Sequence, residues 1–125
     1  MKYLKLFEDF KSSFSYQDVV DKQSQGYMSS DIFFGGNKND FQLKEVDLKD
    51  ITINGKKSRV SLSFYDRHDL DEDVSIVNKL LRMYRNGDNV HPIVLTKDLD
   101  IMDGVHRYVA LKELKKKNIK AFVQA

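Results

Sequence analysis

The stretch Asp103-Gly104-Val105-His106-Arg107-Tyr108 combines residue types that handle anions. A glycine where a strand turns into a helix lets backbone N–H groups face open space. The first helical turn leaves those donors unpaired and partly positive. His106 and Arg107 fall in that turn. A guanidinium there grips phosphate oxygens bidentately, and an imidazole adds another donor. The helix dipole repels basic side chains at this end, so two together point to a bound anion that compensates both. On this reading Gly104 makes room for the anion beside the backbone. Loss of Arg107 then weakens ligand binding and leaves folding stability little changed.

Other chemistries are excluded. The chain has no cysteine, so it builds no disulfide scaffold, thiolate–zinc site or cysteine nucleophile. Its histidines, His68, His91 and His106, lack zinc-ligand spacing. No Ser-His-Asp arrangement, Walker A loop or Rossmann fingerprint is present. Lys112, Lys115, Lys116, Lys117 and Lys120 stand against Glu113 in a run that reads as a solvated helix end, with DNA contact weak and salt-dependent.

The 125 residues make about one domain. With 41% hydrophobic residues one packed core is expected, and a net charge of +2 argues against a strongly basic nucleic-acid tail. No apolar run approaches the roughly 20 residues that span a bilayer. The start, Met1-Lys2-Tyr3-Leu4-Lys5-Leu6, is too soon charged for a secretory signal. A cytoplasmic location without membrane contact is the expectation.

The elements that must position the site follow from patterning. Tyr3, Phe7, Phe10 and Phe14 share one helical face, and Ser15 with Asp18 caps a short helix through Val19 and Val20. Gly26 offers a stop, and Gly35-Gly36-Asn37 a turn. Residues 1–40 are thus read as an N-terminal helical extension that could recruit a protein partner, and residues 41–125 as the main domain. Phe41, Leu43 and Val46 alternate as a strand, and Asn54-Gly55 turns the chain after Ile51-Thr52-Ile53. Val60, Leu62 and Phe64 alternate as a half-buried strand. Asp69 with Glu72 caps a helix over 69–87, striped by Val74, Val77, Leu81 and Tyr84, widened by Ile76, Leu80 and Met83, and stopped at Gly87. Strands follow at Ile93-Val94-Leu95 and Leu99 to Met102, with a turn at Lys97-Asp98 between them. A helix from Val105 to about Lys116 and a closing strand over 119–123 complete the chain.

The order from Val90-His91-Pro92-Ile93-Val94-Leu95 through Gly104-Val105-His106-Arg107 to Ile119–Val123 resembles the ParB/sulfiredoxin superfamily. There an acidic helix precedes a Pro-Ile-Val strand, and a Gly-x-His-Arg or Gly-Glu-Arg-Arg turn opens the next helix. The likeness covers residues 41–125 and is strongest over 90–123. It implies an α+β domain with a small mixed sheet and packed helices, binding ATP or CTP with Mg²⁺. Carried over, Gly104 supplies the close backbone approach, and His106 and Arg107 the phosphate contacts. Asp103 holds Mg²⁺ or acts as a base. Glu72, or Asp73 beside it, is a general base. Asn78 and Arg82 face phosphate or ribose from the preceding helix, and either Arg59 or Arg67 faces the nucleotide.

The departures narrow the function. Sulfiredoxins carry a catalytic cysteine where this chain has Val105, so sulfinic-acid reduction is excluded. Partition proteins of the ParB type add a helix-turn-helix and a dimerisation region, for which the chain offers no counterpart after its closing strand. His106 also replaces the Glu of the Gly-Glu-Arg-Arg form. The reading favours a nucleoside-triphosphate site with hydrolysis or phosphoryl transfer. Its rivals are a non-catalytic DNA- or protein-interaction module and a metal-dependent nuclease, in which Asp103 with Glu72 or Asp73 would hold the ion.

Overall fold

A computed structural model describes residues 13–24, 39–57 and 59–125. Their strands are β1 (Ser13–Phe14), β2 (Phe41–Asp47), β3 (Thr52–Ile53), β4 (Lys56–Lys57), β5 (Ile93–Leu95), β6 (Ile101–Asp103) and β7 (Asn118–Gln124). The α-helices are α1 (Tyr16–Ser24), α2 (Leu62–Arg67), α3 (Asp71–Asn86) and α4 (Val105–Glu113). A 3₁₀ turn, Leu48–Asp50, follows β2. The fold is α+β.

Five strands form one mixed sheet in the order β1-β2-β7-β5-β6. β2 and β7 pair antiparallel from Phe41↔Gln124 to Asp47↔Asn118. β5 runs parallel to β7, with Ile93 opposite Ala121 and Leu95 opposite Val123. Strands 93–95 and 118–124 thus share a sheet, as the patterning requires.

The sheet is covered on both faces, and the period of two sorts its residues. Ile93, Leu95, Ile119, Ala121 and Val123 join Val77, Leu80 and Leu81 of α3 and Tyr108, Val109 and Leu111 of α4 in the larger core. Val94 and Phe122, at the alternate positions, pack with Phe14, Phe41 and Val19 of α1 on the other face. Phe14 meets Phe122 edge-to-face, with ring centroids 5.0 Å apart. Phe14 therefore serves a strand and not a helical stripe. Tyr3, Phe7, Phe10, Gly26 and Gly35-Gly36-Asn37 lie outside the described residues. Ser15 and Asp18 form the expected reciprocal cap: the Asp18 N–H donates to Ser15 Oγ at 3.1 Å, and the Ser15 N–H to Asp18 Oδ2 at 3.4 Å.

Two expectations are corrected. Val60, Leu62 and Phe64 do not form a strand; Ser61 caps α2 by accepting from the Phe64 N–H at 3.0 Å. Within six residues the alternation cannot outweigh a good cap, and Leu62 and Tyr65, three apart, turn one helical face to the core. Asp69 does not cap α3. It takes a left-handed conformation, φ 56°, and closes α2, with its N–H on the Asp66 carbonyl and the Leu70 N–H on the Tyr65 carbonyl. Leu70 is the N-cap of α3 and offers no side-chain hydrogen bond. The charges of Asp71, Glu72 and Asp73 serve the first turn of α3 through its dipole. Gly87 ends that helix at φ 75°, as expected.

The β3–β4 hairpin turns at Asn54-Gly55 and is tied to the main sheet by Asp100. Its Oδ1 accepts from Thr52 Oγ1 at 2.7 Å and from the Gly55 N–H at 2.8 Å. Asp100→Ala leaves both donors without this acceptor. The expected loss is about 1.5–3 kcal/mol of folding stability, seen as a lower urea midpoint with an unchanged slope. An unmoved midpoint would show that the hairpin is held by other means.

Candidate functional site

The turn from β6 into α4 is built on Gly104, which holds φ 112°. A side chain there would be strained by the backbone and blocked by its neighbours. A Cβ would come within 2.7 Å of Ile93 Cγ2 and 3.1 Å of Arg107 Nε and Nη2. The space beside Gly104, which the sequence reading gives to a ligand, is filled by Ile93 and by the guanidinium of Arg107.

Arg107 is correspondingly anchored. Its Nη1 donates to the carbonyls of His91 and Pro92, both at 3.0 Å. Its Nη2 lies 3.2 Å from Asp103 Oδ2, one turn back. Only 14% of the side chain is exposed. The residue thus clamps the entry to β5, the end of β6 and the start of α4 to one another.

His106 points elsewhere. Its Nε2 lies 2.7 Å from Asp73 Oδ1, across the gap between α4 and α3. Both side chains are about one third exposed, at 35% for His106 and 33% for Asp73. The Tyr65 ring packs against the imidazole at 5.9 Å between centroids. Burial, and then the negative charge of Asp73, push the Tyr65 hydroxyl above its ordinary range.

At the head of α4 no side chain caps the N-terminus and no acid stands in the first turn. The Asp103 carboxylate precedes it and Asp73 faces it from α3. Both basic residues of the turn therefore have a carboxylate partner, and the anions that compensate them belong to the chain itself.

Of the residues singled out from the sequence, Asp103, Gly104, His106 and Arg107 come together, and Asp73 joins them in place of Glu72. Glu72, Asn78 and Arg82 are exposed on α3 and share no hydrogen bond or ion pair with this group. Arg59 and Arg67 are exposed as well. Asp73 lies one turn from the buried Val77, which is the signal that turns it toward α4. Tyr65 and the carbonyls of His91 and Pro92 escaped the sequence reading. Tyr65 sits in a segment read as a strand, and backbone acceptors have no residue signature. Among the described residues no three His, Asp or Glu side chains converge as a metal site, and no helix is long and apolar enough to cross a membrane.

No family model and no curated protein matches the chain. Among solved structures the chain is similar to the C2221 form of a Pnob8-like ParB-N domain, at 14% sequence identity and a TM-score of 0.46. The match covers 66% of this chain and 29% of that one, so the chain spans less than a third of that structure's length.

The contacts of Arg107 reverse the stability expectation drawn from the dipole alone. Arg107→Ala is expected to cost about 2–3 kcal/mol, the worth of charge-assisted hydrogen bonds in a partly buried setting. Gly104→Ala is expected to cost about 1–3 kcal/mol from its backbone strain, and more if Ile93 cannot yield. Chemical denaturation of both variants checks this; wild-type stability in either would break the clamp argument.

Tyr84 of α3 supplies a pH readout of the same corner. Burial pushes its hydroxyl up to about 12, with the charge of Arg107 acting in the opposite direction. The folded chain holds that proton more tightly than the unfolded chain, whose tyrosine titrates near 10. Its contribution is therefore full below about pH 10 and is lost as pH rises toward about 12. Tyr84→Phe should flatten the fall in stability over that interval, measured by denaturation at each pH. An equally steep fall in the variant would assign the loss to other groups.

Proposed function

We propose that the domain binds the phosphate tail of a nucleoside triphosphate, ATP or CTP, at the N-terminus of α4, and that the bound triphosphate undergoes hydrolysis or phosphoryl transfer. The observation that carries this reading is the head of α4 itself. A left-handed glycine opens a helix that has neither a capping side chain nor an acid in its first turn, with an imidazole about one third exposed at its rim. Backbone N–H groups in that arrangement bind phosphate oxygens. The Gly-Val-His-Arg sequence that forms it is the part of the chain with the clearest family resemblance.

Arg107 acts in this reading from behind the backbone. Its donors are committed to His91, Pro92 and Asp103, so it contributes fixed positive charge and holds the turn in shape. Mg²⁺ bound with a triphosphate takes most of its ligands from water and phosphate and needs only one or two carboxylates. Asp103, with one oxygen on Arg107, fits that limited demand. The ion would neutralise charge on the phosphates.

A second reading, a non-catalytic interaction module, is favoured by one observation: the chain already supplies carboxylate partners for both basic side chains. A panel of nucleoside triphosphates with Mg²⁺, followed by thermal shift and calorimetry, separates the two. A true ligand at 100 times its Kd adds about 2.7 kcal/mol of stability, and the expectation is such a shift with one of ATP or CTP. No shift with any triphosphate would leave the interaction module as the better reading.

A further inference from the structure

The contact between Asp73 and His106 carries a mechanism as well as a fold. Resting on the triphosphate reading, we propose that His106 is the general base that takes a proton from the attacking water, and that Asp73 is the residue that positions it.

The two ring nitrogens of His106 have different surroundings. Asp73 is an acceptor when ionised, so the 2.7 Å contact with its Oδ1 places a hydrogen on Nε2. In the neutral ring the lone pair then lies on Nδ1. Among the described residues Nδ1 has no hydrogen-bond partner, and 35% of the side chain is exposed. Tyr65 packs on the imidazole from α2, with the rings tilted by 42°, and limits how it turns. The Tyr65 hydroxyl is held in its protonated form by burial and by Asp73, so it does not compete for the proton. The charged group in contact with the ring is Asp73 from α3, and the neighbouring Arg107 of its own helix is paired with Asp103.

The other carboxylates serve less well. Asp103 is engaged by the guanidinium. Glu72 is exposed and stands outside the cluster. The dyad joins the first turns of two helices, and one of them is the turn where the phosphates are proposed to sit.

Water oxygen bonds to the terminal phosphorus while its proton passes to Nδ1. The bond from that phosphorus to the bridging oxygen breaks, and the nucleoside diphosphate leaves with the electron pair. The imidazolium that results faces the Asp73 carboxylate, which stabilises it as it does in other carboxylate–imidazole pairs. The ring then returns its proton to solvent.

The test uses the full chain. Phosphate release from Mg²⁺-ATP and Mg²⁺-CTP is followed from pH 5 to pH 9 in the wild type, Asp73→Asn, Asp73→Glu and His106→Gln, with calorimetry of triphosphate binding and a melting curve for each. The wild-type rate should rise with pH through one ionisation, and His106→Gln should abolish that rise. Asp73→Asn should lower kcat about 10- to 10⁴-fold, between the effect of losing an outer partner of a metal-bound histidine and that of losing the carboxylate behind a general-base imidazole, with KM held within about twofold. Asp73→Glu should recover part of the rate. A loss of affinity with kcat unchanged would make His106 a phosphate ligand and overturn the proposal, as would wild-type kcat in Asp73→Asn. Wild-type protein that binds triphosphate without turning it over overturns this inference and the hydrolysis in the reading beneath it, and leaves triphosphate binding standing. Wild-type protein that binds none overturns the triphosphate reading beneath it. One measurement needs neither variant nor nucleotide: nitrogen NMR of His106 in the wild type at neutral pH should show the hydrogen on Nε2. A hydrogen on Nδ1 would remove the base from the proposal.

Discussion

The chain can pass from β6 into α4 only through a residue without a side chain, and the rest of the site is arranged around that constraint. The space left by the missing Cβ of Gly104 is taken by the guanidinium of Arg107, itself three residues further on. From there the guanidinium reaches the carbonyls of His91 and Pro92 before β5 and the carboxylate of Asp103 at the end of β6. One side chain of α4 thus satisfies acceptors on two other segments, the entry to β5 and the end of β6. A lysine would supply the charge but not the planar fork that reaches these acceptors together.

This arrangement also settles an electrostatic conflict. Two basic side chains at the positive end of a helix repel the dipole. The chain answers with two carboxylates, one local and one distant: Asp103 for Arg107 and Asp73 for His106. With the imidazole neutral, the cluster holds two carboxylates and one guanidinium, so the side chains carry no net positive charge. In the proposed triphosphate reading, attraction for an anion would come from the backbone donors of α4, which neither acid caps, and not from net side-chain charge. In that reading a phosphate group would meet directed N–H groups, and selectivity would come from geometry, with less dependence on salt than a bare basic patch shows.

The legible parts of the fold were those set by short-range physics. The apolar stripe of α3, its glycine stop, the Ser15–Asp18 cap and the alternation in β5 and β7 each declare themselves within a few residues. Two of the failures share one cause. Ser61 and Asp69 are both good cap residues, and the direction each one serves depends on which flanking segment is helical. With Val60 to Phe64 read as a strand, Asp69 had only α3 to cap, whereas it closes α2. Phe14 fitted a helical stripe, yet it lies opposite Phe41 in β1. In the site, the glycine turn and its two basic neighbours were legible because they are contiguous. Their partners were only half so. Asp73 was named beside Glu72, but choosing between them needs the packing of α3 on α4 across 33 residues of sequence.

That packing decides how the site communicates. Arg107 ties α4 to the entry of β5 and the end of β6 through the carbonyls of His91 and Pro92 and the carboxylate of Asp103. His106 ties the same helical turn to α3, and through the ring of Tyr65 to α2. A ligand that draws on the backbone donors of α4 would pull against two different restraints. The guanidinium is largely buried and holds several acceptors, so it resists displacement. The imidazole has one carboxylate partner and one third of its surface in solvent, so it is the side chain that can respond. Rigidity at residue 107 and freedom at residue 106, one position apart, are what an N-terminal phosphate site needs if its backbone is to stay fixed while a side chain moves a proton.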